Sequence, residues 1–275
     1  MVATVADIVQ VMERLAPPDL AEDWDNAGLQ VGKMDWPVNT VWVALDPSPD
    51  VVQAACRKGV DLLITHHPMI FKPLQCIDFN KPPGFLIQQA AQHQLSIYAA
   101  HTNFDSAQDG LNDILAGRIG LKNLKPLVTA NIETHQQAST EGPQGLGRIG
   151  ELVEPTDLKS LALKIKKQLS LSSVKLCGNP ELIVRKTAIC TGSGSGLLRN
   201  FISSDAQVYI SGDMRYHDAK DVQAANRGLI DIGHFASEHI MVGVVADRLS
   251  AALAKAGLKA DIKAYGLERD PFLTL

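Results

Sequence analysis

A chain of 275 residues holds enough material for one large or two ordinary domains, each with a buried core. Hydrophobic residues make up 45% and charged residues 20%, the balance of a soluble globular protein, and no apolar run approaches the ~20 residues of a membrane span. The net charge of −4 gives no electrostatic footprint for nucleic acid, so neither a nucleic acid nor a membrane is an expected partner.

Residues 1–7 lack the basic region and apolar stretch of a signal peptide. Cys56, Cys76, Cys177 and Cys190 are scattered, with no CxxC pair. Both features predict a reducing, cytoplasmic location and small buried thiols rather than a zinc knuckle.

Thr4 is placed to cap an amphipathic helix that runs to Leu15 and stops at Pro17-Pro18. A strand, 41–46, leads to a helix over 49–58 and a buried strand over 60–65. A helix over 84–93, a strand over 95–100 and a helix over 109–119 follow. Residues 121–150 are polar and glycine-rich and break the rhythm, which predicts a connection or an irregular subdomain. Beyond it, a strand is expected over 148–152, a helix over 156–169, and strands over 174–177, 185–191, 206–211 and 228–233. One long helix over 235–256 and a last strand over 259–265 complete the pattern. The alternation predicts an α/β fold of two similar three-layer α/β/α halves with mostly parallel sheets. Residues 1–125 form one half, carrying His66, His67, His101 and Asp105; residues 126–275 form the other, carrying His234 and Glu238, with the boundary inside 121–150. Each half presents histidine at strand ends, which predicts a metal site in the cleft between them.

Three apolar strands end in ligand-type residues. The first delivers His66-His67, the second His101 with Asp105 four residues on, the third His234 with Glu238 four residues on. Imidazole nitrogens and carboxylate oxygens suit divalent metals, and six such groups exceed one tetrahedral ion, so two ions fit better. Adjacent side chains on a strand point to opposite faces, so His66 and His67 suit different ions at an exposed strand end, which Pro68 closes. His234 and Glu238 share a helical face if a helix starts by residue 234, and a glutamate there also complements the helix dipole. His101 and Asp105 leave their strand in a loop, where Asp105 reads equally as a turn residue. Asp213 and His217 follow another strand end as supporting or substrate-contacting groups. His93, His135 and His239 have no ligand-spaced partner and read as surface or packing residues.

Two glycine patterns stand apart. The run Gly145-Leu-Gly147-Arg-Ile-Gly150 matches GxGxxG without the preceding strand of a dinucleotide site. The run Gly192-Ser-Gly194-Ser-Gly196 follows a strand and reads either as a tight turn or as an anion cradle.

The chain resembles the Nif-three-like family, dinuclear-metal proteins often labelled GTP cyclohydrolase 1 type 2 homologues. The resemblance is carried by Trp24 to Gly32, Thr65-His-His-Pro-Met-Ile-Phe71, Ala100-His-Thr-Asn-Phe-Asp105, Gly145 to Gly150, Ser211-Gly-Asp-Met-Arg-Tyr-His217 and Gly233-His-Phe-Ala-Ser-Glu238. It implies two divalent ions per subunit (Zn, Fe, Mn or Ni) and a ring-shaped homohexamer. By the resemblance, His67 and Asp105 bind one ion, His66 and His234 the other, and Glu238 bridges both. The function it implies is a metal-dependent hydrolase of a small molecule or nucleotide, with His101 or His217 as general acid or base. For a cyclohydrolase, attack falls on the purine C8 of GTP, and the Gly192–Gly196 turn takes the triphosphate. The alternative is a non-catalytic metal-binding or regulatory interaction protein.

Overall fold

Thr4 closes the first helix by a reciprocal pair of bonds: its N–H donates to Asp7 Oδ2 (2.8 Å) and Asp7 N–H donates to Thr4 Oγ1 (3.3 Å). Such a cap is worth about 1 kcal/mol and fixes the start of Val5–Leu15 where the sequence placed it. This computed structural model describes residues 2–130 and 144–273; His135 and part of the expected 121–150 connection lie outside them.

The chain is a mixed α/β protein of two compact units, Met1–Phe104 with Met241–Glu268, and Asp105–Ile240 with Arg269–Leu275. The division therefore differs from the expected halves 1–125 and 126–275. The chain changes unit inside the short helix Thr102–Ser106, so Asp105 belongs to the second unit, and the chain later returns to the first.

In the first unit, strands Asp261–Ala264, Thr40–Ala44, Leu62–Thr65, Ser96–Ala99 and Gly28–Val31 lie side by side in that order. The first three junctions are parallel and the last is antiparallel, the usual way an open parallel sheet acquires an edge. Leu63, Ala44 and Ile97 pack with Val51, Val52, Ala55, Leu86 and Ala90 from helices Pro49–Arg57 and Gly84–Gln92. Their alternate neighbours Val41, Val43, Leu62, Ile64 and Tyr98 are also buried, so both sheet faces are covered. Each of the valine, leucine and isoleucine side chains contributes about 1.5–3 kcal/mol by leaving water.

In the second unit the strand order is Leu121–Thr129, Gly145–Asp157, Ile183–Ser193, Val208–Gly212, Gly228–Asp231, Lys175–Cys177. Only the two central junctions are parallel; the other three are antiparallel, so the expectation of a mostly parallel sheet does not hold here. One of the three joins Leu121–Thr129 to Gly145–Asp157, where a connection was expected, and the others join Gly145–Asp157 to Ile183–Ser193 and Gly228–Asp231 to Lys175–Cys177. Ile189, Ile210 and Ile230 pack with helices Leu111–Ile119 and Leu158–Gln168. Their neighbours Ala188, Tyr209 and Leu229 pack with Leu198–Ser203 and Tyr216–Ala224.

The GxGxxG run proves to hold a buried arginine. Arg148 is fully buried, and its fork donates to Asp113 Oδ1 (2.7 Å) and Oδ2 (2.8 Å), to the carbonyls of Gly145 and Gly147, and to Ala107 O (2.8 Å). The motif is thus a structural clasp across the start of the second unit. The expected single helix 235–256 is two helices, His234–Glu238 and Ile240–Lys255, parted at His239. Ser237 Oγ donates back to His234 O (2.8 Å), a bond that bends helices.

Candidate metal centre

The strand Leu62–Thr65 is buried along its length and ends where His66 and His67 begin. Both histidine N–H groups donate to Leu45 O (3.1 and 3.0 Å), and Thr65 Oγ1 donates to His67 O (2.8 Å). The pair is therefore held by backbone as well as by side chain. His66 is fully buried and its Nδ1 meets Ala100 O at 2.9 Å; His67 Nδ1 meets Asp46 Oδ1 at 2.7 Å.

His101 joins them. The run after it was expected to be a loop, but Thr102–Ser106 is one helical turn. Asp25 explains the difference, because its carboxylate accepts the Thr102 N–H (3.0 Å) and hydroxyl at the helix start and His101 Nδ1 at 2.7 Å. Burial pushes the Asp25 carboxyl up, but the His101 and Thr102 hydrogen bonds, the His101 charge and the Asn26 N–H outweigh it and hold it at about 2. The rings of His66, His67 and His101 lie 5.1–5.5 Å apart, and one ring nitrogen from each falls within 4.8 Å of the others. Three converging imidazoles are a common donor set for a divalent metal.

In the second unit, Gly233 turns the chain with φ +86°, a conformation glycine tolerates, and launches His234–Glu238. His234 Nδ1 meets Asp213 Oδ2 at 2.8 Å and its Nε2 meets Glu238 Oε2 at 2.9 Å, and the helix does start at residue 234, the condition for the two to share a face. The Glu238 hydrogen bond raises the His234 pKa most; burial opposes it, the Glu238 and Asp213 charges add, and the group is pushed up to about 9. A proton thus sits between two carboxylates where a metal cation would suit the same ligands. Asp105 is buried in this unit and accepts the Thr191 hydroxyl on Oδ1 (3.0 Å). Asn112 steadies it by donating to Asp105 O (3.1 Å) while accepting the Thr191 N–H (3.0 Å).

The glycine turn serves this carboxylate. Gly192 has φ +64°, and a Cβ there would collide with Glu238 Oε1 and come within 3.4 Å of His234 Nε2. Its N–H is already given to Ser237 Oγ (2.8 Å), and Ser195 Oγ donates to Asp218 Oδ2 (2.6 Å). The turn thus packs on Glu238 through Gly192 and ties Asp218 through Ser195.

Among the candidates, His66, His67 and His101 are brought together in one unit, and His234 pairs with Glu238 in the other. His217 stands exposed on Tyr216–Ala224 against Tyr216 and joins neither group. His93 caps its helix through Gln89 O (2.9 Å) and His239 stacks on Phe235, as packing residues do. Sequence reasoning missed Asp25 and Asp46. Each was visible only as an aspartate beside a motif, Asp25 after Trp24 and Asp46 at a strand end. The four histidines 66, 67, 101 and 234 share one arrangement: Nδ1 is held by a carbonyl or carboxylate oxygen. That is the outer arrangement typical of metal-binding histidines, which fixes the tautomer and aims Nε2 at the ion. The donor set therefore fits divalent metal.

Comparison with known proteins gives the family. The profile of the Duf34/NIF3 family (NGG1p interacting factor 3) matches residues 3–271. The chain belongs to this family. A protein named GTP cyclohydrolase 1 type 2 homolog from Clostridium acetobutylicum is 32% identical over 268 residues, covering 98% of this chain and 97% of that one. A protein of the same name from Streptococcus pneumoniae is 31% identical, covering 97% of this chain and 98% of its own. Among solved structures, a Bacillus cereus protein related to NIF3 superposes with a TM-score of 0.90 at 26% identity, covering 100% of this chain and 99% of that one. No helix among the described residues is long and apolar enough to cross a membrane.

Proposed function

We propose that this Duf34/NIF3 protein is a dinuclear-metal hydrolase acting on a small molecule or nucleotide. The observation that carries the reading is the shared fixing of Nδ1 in His66, His67, His101 and His234 by neighbouring oxygens. The exposed His93 also has a carbonyl acceptor in Gln89 O, but it belongs to neither ligand group, whereas these four combine the fixed Nδ1 with ligand-type neighbours. Following the family resemblance, His67 and Asp105 serve one ion, His66 and His234 the other, and Glu238 both, with α/β/α layering in each half. The ions would activate a water and stabilise negative charge on the substrate. His101, held by Asp25, then moves a proton to or from the reacting group. The exposed rings of Trp24 and Phe71 (56% and 45%) lie 6.0 and 6.3 Å from the His101 ring and shape the approach to it.

The relatives' name supplies the first substrate to try. Metal-loaded protein is incubated with GTP, other nucleotides, phosphodiesters and small peptides, beside Glu238→Ala. Turnover that Glu238→Ala abolishes supports the reading. Two tightly bound ions without turnover of any substrate would favour the regulatory metal-binding alternative. Elemental analysis of protein from its native host identifies the metal. A cytoplasmic homohexameric ring is part of the same proposal. The exposed apolar run Phe71, Leu74, Ile77 and Phe79 (37–55% exposed) is the kind of surface a subunit contact covers. Light scattering giving a mass near one chain would refute the ring.

A further inference from the structure

We propose that Glu268, in the C-terminal segment, is a positioning residue of the metal centre, clamping the turn that holds His66 and His67. The proposal rests on the metal-centre reading above, and extends it to a residue that neither the motifs nor the ligand set includes.

The geometry is a chain of committed groups. Glu268 Oε2 accepts the Leu45 N–H at 2.8 Å and Oε1 accepts the Asp46 N–H at 2.9 Å. One carboxylate thus bridges two consecutive amides, a charge-assisted pair that fixes the orientation of the peptide between them. The other polar groups of this turn face the histidines. Leu45 O accepts the N–H of both His66 and His67, and Asp46 Oδ1 takes His67 Nδ1 at 2.7 Å. Releasing the two amides frees the Leu45 carbonyl and the Asp46 side chain together, so both histidines lose the hold from this turn at once, leaving His66 on Ala100 O and His67 on Thr65 Oγ1.

The segment is built to deliver this carboxylate. Strand Asp261–Ala264 runs parallel to Thr40–Ala44, in register from Asp261 beside Thr40 to Ala264 beside Val43. Tyr265 extends the pairing with N–H to Val43 O (2.8 Å), and its ring stacks on Trp42 at 5.1 Å. Three residues later the chain reaches Glu268, half-buried beside an exposed Leu267. Burial pushes the Glu268 carboxyl up, and the Leu45 and Asp46 N–H groups pull against it. A strand that needed only an edge partner would not require an acidic side chain folded under the end of its neighbour.

Glu268→Gln tests this, since the amide keeps the shape but turns one accepting oxygen into a donor aimed at an N–H. Zn(II) affinity is measured by competition with a chromophoric chelator, with folding checked by circular dichroism. The expected result is a 10–100-fold loss of affinity in Glu268→Gln, the size usual for outer partners of metal ligands. In a His66→Ala/His67→Ala background, where both clamped histidines are gone, the same substitution should change the residual affinity less than threefold. An equal loss in both backgrounds would make Glu268 a general structural residue and overturn the proposal, as would unchanged affinity in the single variant. Wild-type protein that binds no Zn(II) at all would instead remove the metal-centre reading on which this one rests. Should Glu268→Gln fail to fold, hydrogen exchange on the wild type decides. By reciprocity, metal loading must slow exchange of the Leu45 and Asp46 amides, and unaltered exchange there would overturn the clamp.

Discussion

The Asp25 carboxylate receives His101 Nδ1 at 2.7 Å while its own side chain is wholly shielded from solvent. It also accepts two N–H groups and a hydroxyl, from Thr102 and Asn26. A shielded carboxylate with so many donors favours its ionised form, which is why it is held at about 2. Its folded pKa is depressed, so the stabilisation is present above the unfolded value of about 4 and is lost as pH falls from about 4 to about 2. The shift corresponds to about 2 kcal/mol. Asp25→Asn in metal-free protein should therefore be less stable than the parent at pH 7, with the gap closing toward pH 2. Urea denaturation across that range checks it, and a gap independent of pH would count against the charged pair.

His234 predicts the opposite sign. Its folded pKa is raised, so its protonated pairing stabilises the metal-free protein fully below the unfolded value of about 6.5 and is lost as pH rises through about 9. A metal at Nε2 must displace that proton. Calorimetric metal titration at pH 8 in buffers of differing ionisation enthalpy should show proton release, smaller by about one proton in His234→Ala. Equal release in both proteins would remove His234 from the ligand set.

Much of this was legible in the sequence. The alternation of strands and helices located nearly every major element, because period-2 and period-3.6 burial leave direct traces. The His66-His67 pair and the His234/Glu238 spacing could be read because strand ends and helical turns bring near neighbours together. Asp25, Asp46 and Glu268 could not. Each reaches its partner across 76, 21 or more than 220 residues, a separation that no local pattern records. The unit boundary at Phe104/Asp105 was hidden for a related reason: it falls inside a helical turn rather than in a polar linker.

Arg148 carries a prediction about stability. All of its fork is engaged, and removing it strands the Asp113 carboxylate together with the Gly145, Gly147 and Ala107 carbonyls. Breaking a buried ion pair from one side costs about 3–5 kcal/mol. Arg148→Met should lose stability on that scale in chemical denaturation, and Arg148→Lys should recover little, since an ammonium cannot reproduce the fork. A loss under 1 kcal/mol in Arg148→Met would contradict the clasp.

Gly192→Ala separates the metal centre from the fold. The substitution places a methyl group against Glu238 Oε1 and His234 Nε2, and it forces alanine into a left-handed backbone at φ +64°. The backbone term costs about 1–2 kcal/mol, which a chain of this size tolerates. The steric term falls on the Glu238 carboxylate, which must swing away from His234. Because Glu238 is the proposed bridge, the variant should fold, melt a few degrees lower, and hold less than half the wild-type metal. Ser195→Ala in the same turn lacks that contact and should keep its metal. Circular dichroism with elemental analysis of both variants reads the result, and a Gly192→Ala protein with full metal content would show that Glu238 does not hold the ions.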